Sequence, residues 1–166
     1  MSDFPLLAET LGAELLRRKW TLATAESCTG GWAAKVVTQV SGSSQWFDRG
    51  FITYSNIAKQ EMLGVSTETL EQHGAVSEAT VREMAAGALR HSHAQVALAI
   101  SGIAGPGGGT LQKPVGMVCF AWATIDGAVA AVTHHFEGNR DSIRHQAVQT
   151  ALEGLLQQIL AAGVEQ

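Results

Sequence analysis

The run V-A-L-A-I-S, Val96 to Ser101, carries no polar residue before its last position. A strand sends successive side chains to opposite faces, so a run apolar throughout must be covered on both sides. This is the clearest buried strand of the chain, and the rest of the sequence supplies covers for it. Leu7, Leu11 and Leu15 fall four apart, with Leu6 and Leu16 widening the stripe and Pro5 suited to a first helical turn. Thr21 to Ala25 reads as a short strand, and Gly30 to Val40 as a helix with Ala33, Val36, Val37 and Val40 on one face. G-F-I-T-Y-S reads as a second strand, followed by a short helix over N-I-A-K-Q-E-M-L. Ser77 is placed to cap a helix reaching Arg90, with Val81, Met84, Ala85 and Ala88 as its apolar stripe. V-G-M-V-C-F-A-W-A-T and V-A-A-V-T-H-H-F read as a hairpin turning at Asp126-Gly127. A long last helix spaces Ile143, Ala147, Ala151, Leu155 and Ile159 by four. Strands interleaved with helices predict an α/β fold, a three-layer α/β/α sandwich with a mixed, mostly parallel central sheet.

Bulk properties narrow the function. The 166 residues hold neither repeat nor linker, and the reading is a single domain over 1–166. Eleven basic against 15 acidic residues give a formal charge of −4, which is no footprint for a nucleic-acid backbone. No apolar run reaches membrane-spanning length, and the amino terminus lacks the pattern of an export signal. Cys28 and Cys119 are too few for a disulfide framework or a cysteine zinc site. A soluble cytoplasmic protein is expected.

A-E-S-C-T-G-G, Ala25 to Gly31, sits where the first strand turns into a helix. A hydroxyl there can be exposed by the tight backbone, beside amides that lack intrahelical partners and can hold an oxyanion. The geometry is that of a nucleophile elbow, although the sequence is not G-x-S-x-G. Two other readings stand beside it. Ser27 or Thr29 can simply cap the helix beginning near Gly30, and Cys28 can be the nucleophile, since helix N-termini favour thiolates. On an extended turn Ser27 and Cys28 point apart, so one of them is expected to face a pocket.

A serine needs a base. None of the six histidines lies in a triad or metal-binding pattern; His134 and His135, adjacent on a strand, face opposite sides. Lys59 follows the strand that carries Tyr54, the only tyrosine, so both can sit over one strand end. As a base it must lose its proton, which requires destabilising the ammonium by burial or by a guanidinium, with Arg49, Arg140 and Arg144 as candidates. The alternatives are a solvated lysine and an ordinary strand aromatic.

S-G-I-A-G-P-G-G-G-T-L-Q-K-P-V-G, Ser101 to Gly116, leaves the best strand with six glycines. It is neither a Walker A loop nor a dinucleotide fingerprint. It lies at the carboxyl edge of a strand, where open α/β sheets bind ligands, and free amides in such a loop can cradle an anion. A flexible connection is the plainer reading. Gly138-Asn139-Arg140 offers a helix start and a guanidinium for a phosphate, or a solvated charge.

Taken together, A-E-S-C-T-G-G, F-I-T-Y-S-N-x-x-K, H-G-A-V-S-E, S-G-I-A-G-P-G-G-G, K-P-V-G and G-N-R resemble the nicotinamide-nucleotide amidohydrolase family, also called the competence/damage-inducible protein A C-terminal domain family. The resemblance runs from about Leu6 to Leu160, in the family's motif order, and is to the single-domain members. It implies hydrolysis of the carboxamide of nicotinamide mononucleotide to nicotinic acid mononucleotide and ammonia, in pyridine nucleotide salvage. It also implies an α/β/α fold, a homodimer, and neither cofactor nor metal. The family's nucleophile falls on Ser27, its base on Lys59 and its tyrosine on Tyr54. Substrate contacts fall on Thr29, Gly30, Gly31, Ser101, Gly102, Gly105 and Arg140, and Asn139 stands where relatives often carry Asp. A non-catalytic pyridine-nucleotide-binding regulatory domain is the alternative.

Overall fold

Residues 3–162 are described by the computed structural model. In chain order they form α1 (Phe4–Arg18), β1 (Leu22–Glu26), α2 (Trp32–Thr38), a 3-10 turn (Ser43–Gln45), β2 (Phe47–Ile52), α3 (Asn56–Leu63), α4 (Thr67–His73), α5 (Glu78–Arg90), β3 (Val96–Gly102), β4 (Met117–Thr124), β5 (Val129–His135) and α6 (Arg140–Ala161). The strands make one sheet in the order β2-β1-β3-β4-β5. β1 pairs parallel with β2 and β3, whereas β4 pairs antiparallel with β3 and β5, so β4 alone runs against the rest.

The two faces of the sheet are built to different depths. On one, Leu22, Val96, Leu98, Ile100, Phe120 and Trp122 meet α1, α2 and α6. On the other, Ala23, Ala25, Ala97, Ala99, Ala121 and Ala123 meet α3, α4 and α5. Period-two alternation of large and small residues along β3 and β4 sets this difference. The alanine face lets α5 lie close to the sheet. The large face is closed by α6, where a Cβ on Gly154 would sit 2.1 Å from the Trp122 ring. Trp122 Nε1 donates to Ala151 O at 2.9 Å, so its one polar atom is satisfied within the layer.

β1 reaches β2 through α2 on the first face, and β2 reaches β3 through α3, α4 and α5 on the other. The carboxyl ends of β1 and β3 therefore flank the topological switch point of the sheet, where α/β folds bind ligands. Ser27 N–H donates to Ile100 O across that point at 3.0 Å.

Several local expectations shift. Leu7, Ala8, Leu11 and Leu15 form the core-facing stripe of α1, while Leu6 is 59% exposed and Leu16 is exposed with it; a stripe two residues wider than the contact has nothing to cover it. α2 starts at Trp32, and Val40 lies beyond its end. β2 runs over Phe47–Ile52, earlier than its most apolar residues suggest, because it is an edge strand and only one of its sides is paired. α4 was not expected; Ser66 accepts from Thr69 N–H at 3.0 Å and caps it. Ser77 caps α5 through Thr80 N–H, and the β4–β5 turn forms at Asp126-Gly127 with Gly127 at φ 98°.

Candidate active site

β1 ends at Glu26, and this residue, not Ser27 or Thr29, organises the turn into α2. Its carboxylate is buried and accepts from Thr29 Oγ1 at 2.6 Å, Ala33 N–H at 2.9 Å and Ala34 N–H at 3.1 Å. Gly31, the residue before α2, gives no side-chain cap. Glu26 thus supplies the negative charge and the acceptors that the first turn of α2 needs. The capping reading of Ser27 and Thr29 falls with this, and Ser27 Oγ is free for another role. Sequence reasoning missed Glu26, because a strand glutamate three residues before a threonine has no capping signature. The turn is finished by Gly30 and Gly31, both at positive φ, which only glycine tolerates easily.

The same residue ties down the neighbouring strand end. Thr53 N–H donates to Glu26 O at 2.8 Å, so the exit of β2 is fixed beside the turn that carries Ser27. Ser55 then caps α3 through Ala58 N–H at 3.1 Å, and Lys59 follows one turn in. Lys59 is only 1% exposed, and its Nζ lies 3.0 Å from Ser27 Oγ, 2.9 Å from Thr53 O and 3.4 Å from Tyr54 O. Burial pushes its pKa below the ordinary lysine value of 10.5, and proximity to Cys28 opposes this weakly. The three arginines are engaged elsewhere. Arg49 holds Asp48 and His91 O toward the far end of β2, Arg140 holds Tyr54 and Gly105, and Arg144 holds the carbonyls of Cys28 and Thr29. Desolvation is the cause, as the apolar walls around a buried amine require.

Ser27 and Cys28 both line the same cavity, of about 260 Å³, contrary to the expectation that one points away. They are chemically unequal. Burial, reinforced by the Glu26 carboxylate, raises the Cys28 thiol to about 11, so it is protonated at neutral pH. Tyr54 and Arg140 stand at the cavity mouth. Tyr54 is 62% exposed, and its hydroxyl accepts from Arg140 at 3.1 Å, while Arg140 also donates to Gly105 O at 2.9 Å. It is the backbone carbonyl of Tyr54, not its phenol, that faces Lys59.

The glycine-rich connection is a pinned loop. Ile103 N–H donates to Met117 O at 2.9 Å and Gly116 N–H returns to Ile103 O at 2.8 Å. Gly105, at φ 76°, packs so closely on Val115 that a Cβ would sit 2.4 Å from it. Lys113 donates to His73 O, and the buried Ser101 hydroxyl donates to Ala75 O at 2.8 Å. Those two bonds fasten the H-G-A-V-S-E segment as another wall of the cavity, lined by Ala75 and Val76. Gly102, Gly105, Gly107 and Gly108 line it too, as does Asn56, whose role sequence reasoning left open inside S-N-x-x-K.

Thr29, Gly30 and Gly31 lie on the other side of the turn. They border a separate depression with Trp32, Lys35 and Arg144, and Thr29 is buried on Glu26. Among the described residues no cluster of three His, Cys, Asp or Glu side chains is placed to hold a metal ion. No helix of the described residues is long and apolar enough to cross a membrane.

The sheet order, the switch-point cavity and the motifs around it define a known class, and the chain belongs to the family of the CinA C-terminal domain, whose description matches residues 5–159. Within it the chain is 55% identical to the Nicotinamide-nucleotide amidohydrolase PncC of Escherichia coli (strain K12), over 96% of each chain. It is 47% identical to the protein of the same name from Pseudomonas putida, over 95% of this chain and 98% of that one. Among solved structures it is similar to the competence/damage inducible protein CihA from Agrobacterium tumefaciens, with a TM-score of 0.91 at 46% identity, covering 94% and 95% of the two chains.

Proposed function

We propose that this chain is an amidase that hydrolyses the carboxamide of nicotinamide mononucleotide to nicotinic acid mononucleotide and ammonia, as part of pyridine nucleotide salvage. The activity for which its relatives are named supports the substrate. One observation carries the chemistry: a buried amine, its cationic form disfavoured, 3.0 Å from a hydroxyl that caps nothing.

A neutral Lys59 has two N–H bonds and one lone pair. Thr53 O and Tyr54 O accept the two N–H bonds, which turns the lone pair to Ser27 O–H. Ser27 Oγ attacks the carboxamide carbon as Lys59 takes its proton. Backbone amides of the strand-to-helix turn after Ser27 hold the developing oxyanion. Collapse breaks the C–N bond as the Lys59 ammonium gives its proton to the leaving nitrogen, which departs as ammonia. Water, deprotonated by Lys59, then cleaves the ester and restores Ser27.

Arg140, Ser101, Gly102 and Gly105 shape the substrate end of the cavity, with Arg140 and the loop amides taking the phosphate. Tyr54 acts as a positioning residue, holding Arg140 through its hydroxyl and Lys59 through its carbonyl. Binding the remote phosphate explains a preference for the nucleotide over free nicotinamide. The test is ammonia release from nicotinamide mononucleotide by the full chain and by Ser27→Ala. Release by the first and none by the second is expected; equal release by both, or tight binding without turnover by the wild type, would overturn the reading.

A further inference from the structure

The sheet ends at β5, and no strand pairs beyond it among the described residues. Phe136 N–H donates to Gly116 O at 2.8 Å, and Ala128 O accepts from Thr124 N–H at 2.9 Å, so the even-numbered residues here face β4. Successive residues of a strand direct their backbone groups to opposite sides. Val129, Ala131, Thr133 and His135 therefore turn their N–H and C=O groups to the open edge. Such an edge templates further pairing unless charge, proline or a bulge blunts it. The other edge of the sheet, β2, carries Asp48 and Arg49. β5 runs V-A-A-V-T-H-H in unbroken register, with no lysine, carboxylate, proline or bulge.

The charges that flank this edge lie on α5 and are ordered along it. Arg82 Nη1 donates to Val129 O at 3.0 Å, and Glu78 accepts from Thr133 Oγ1 at 2.8 Å. Both residues are exposed, and neither is in an ion pair among the described residues. Val129 and Thr133 stand at equal distances along the strand on either side of Ala131. A twofold axis through Ala131 sets each Val129 opposite the partner's Thr133, and so brings each Arg82 to the partner's Glu78. The same register puts Ala130 opposite the partner's Val132 on the large face, small against large. Beside them runs a groove of about 340 Å³ between β5 and α6, lined by Trp122, Val132 and His134.

We propose that β5 is an interface for a second copy of this chain, paired antiparallel about Ala131 so that two five-stranded sheets become one. The partner's edge supplies donors and acceptors for the outward groups of Ala131 and Thr133, while Arg82 and Glu78 meet their opposites on both sides of the axis. Charge order fixes the register. An axis through Thr133 would set Glu78 against the partner's Glu78, and one through Val129 would set Arg82 against the partner's Arg82, and like charges in contact select against a pairing. Twofold pairing uses one edge of each chain, and the charged β2 edge does not extend it, so the assembly closes as a dimer. None of these residues lines the Ser27 cavity, so pairing and catalysis are separable.

The experiment is sedimentation velocity of the full chain across micromolar concentrations at low salt, with thermal unfolding as the check on folding. Wild type should sediment as a dimer. Ala131→Pro should sediment as a monomer that still unfolds cooperatively, because the lost N–H faces outward, where an edge strand accepts proline. Arg82→Glu and Glu78→Arg should each raise the dimer Kd by about tenfold or more, since attractive contacts on both sides of the axis become repulsive ones. Mixed in equal amounts, these two variants should recover a heterodimer, because each then faces the opposite charge on the other chain. Damage to α5 or β5 alone gives no such recovery. If Ala131→Pro does not unfold cooperatively, the two charge variants carry the test. A monomeric wild type overturns the proposal, as does a dimer that folded Ala131→Pro leaves intact. A dimer indifferent to both charge variants, or no recovery on mixing, overturns the pairing about Ala131.

Discussion

In the proposed mechanism Lys59 decides how the site responds to pH. An amine disfavoured as a cation becomes available as a base below the usual lysine range, so kcat/KM should rise with pH through that lowered pKa and fall below it. Lys59→Met should lose both the activity and this acidic limb, checked by ammonia release across pH. Stability has the corresponding sign. Between the lowered native pKa and 10.5 the unfolded chain holds a proton on Lys59 that the native chain does not, so wild-type stability rises with pH there. Relative to Lys59→Met, the wild type should therefore gain Tm as pH increases through that window; a flat difference would mean that the amine is not destabilised. Cys28 predicts the reverse of a reactive thiol. Held protonated by burial, it should resist alkylation at neutral pH, and Cys28→Ala should turn over within a few-fold of wild type. The sequence marked Ser27, Cys28 and Lys59 as the residues to weigh, but not which thiol or amine is desolvated, since that depends on walls from α3, β3 and the Gly-rich loop.

At the scale of elements, the strand-to-helix turn after β1 depends on Glu26. Glu26→Ala leaves the amides of Ala33 and Ala34 and the Thr29 hydroxyl without acceptors, and leaving buried groups unsatisfied costs about 1–3 kcal/mol each before relaxation. Denaturant unfolding should show a clear loss, smaller in Glu26→Gln, which keeps one acceptor oxygen. The packing of α5 against the end of α3 sets up an opposed pair of effects. Gly87→Ala gains about 1 kcal/mol of helix propensity, but its Cβ would lie 1.9 Å from Leu63 O, a backbone atom that cannot move aside cheaply. Overpacking of this kind costs about 1–3 kcal/mol, so the clash wins and the variant should melt lower than wild type. The helices themselves were legible where a cap and a stripe coincide, as at Ser77 with Val81, Met84 and Ala85. They were misjudged where a stripe was read without knowing the width of its contact, as with Leu6 and Leu16 on α1.

For the whole molecule, the site exists because three strand exits meet at one crevice: Ser27 after β1, Tyr54 after β2, Ser101 and Gly102 closing β3. A nucleotide seated there bridges both halves of the sheet's switch point and should raise Tm in a thermal-shift assay, including in Ser27→Ala, where binding outlasts chemistry. The exposed loop tip at Leu111, 96% accessible, takes no part in that crevice. What the sequence by itself determined is what short-range order carries. The unbroken apolar run of β3 required cover on both faces, four-residue spacing assigned α6, Asp126-Gly127 assigned the hairpin turn, and the motifs placed a hydroxyl and an amine at strand exits. What only the tertiary structure decided is every interaction between distant positions: Lys59 meeting Ser27 across 32 residues, Arg144 reaching Cys28 across 116, and Thr29 to Gly31 facing away from the cavity. The reason is physical. Periodicity and turn preference are properties of a few adjacent residues, whereas desolvation of an amine and the direction of a peptide N–H are set by whichever remote groups the packed layers bring against them.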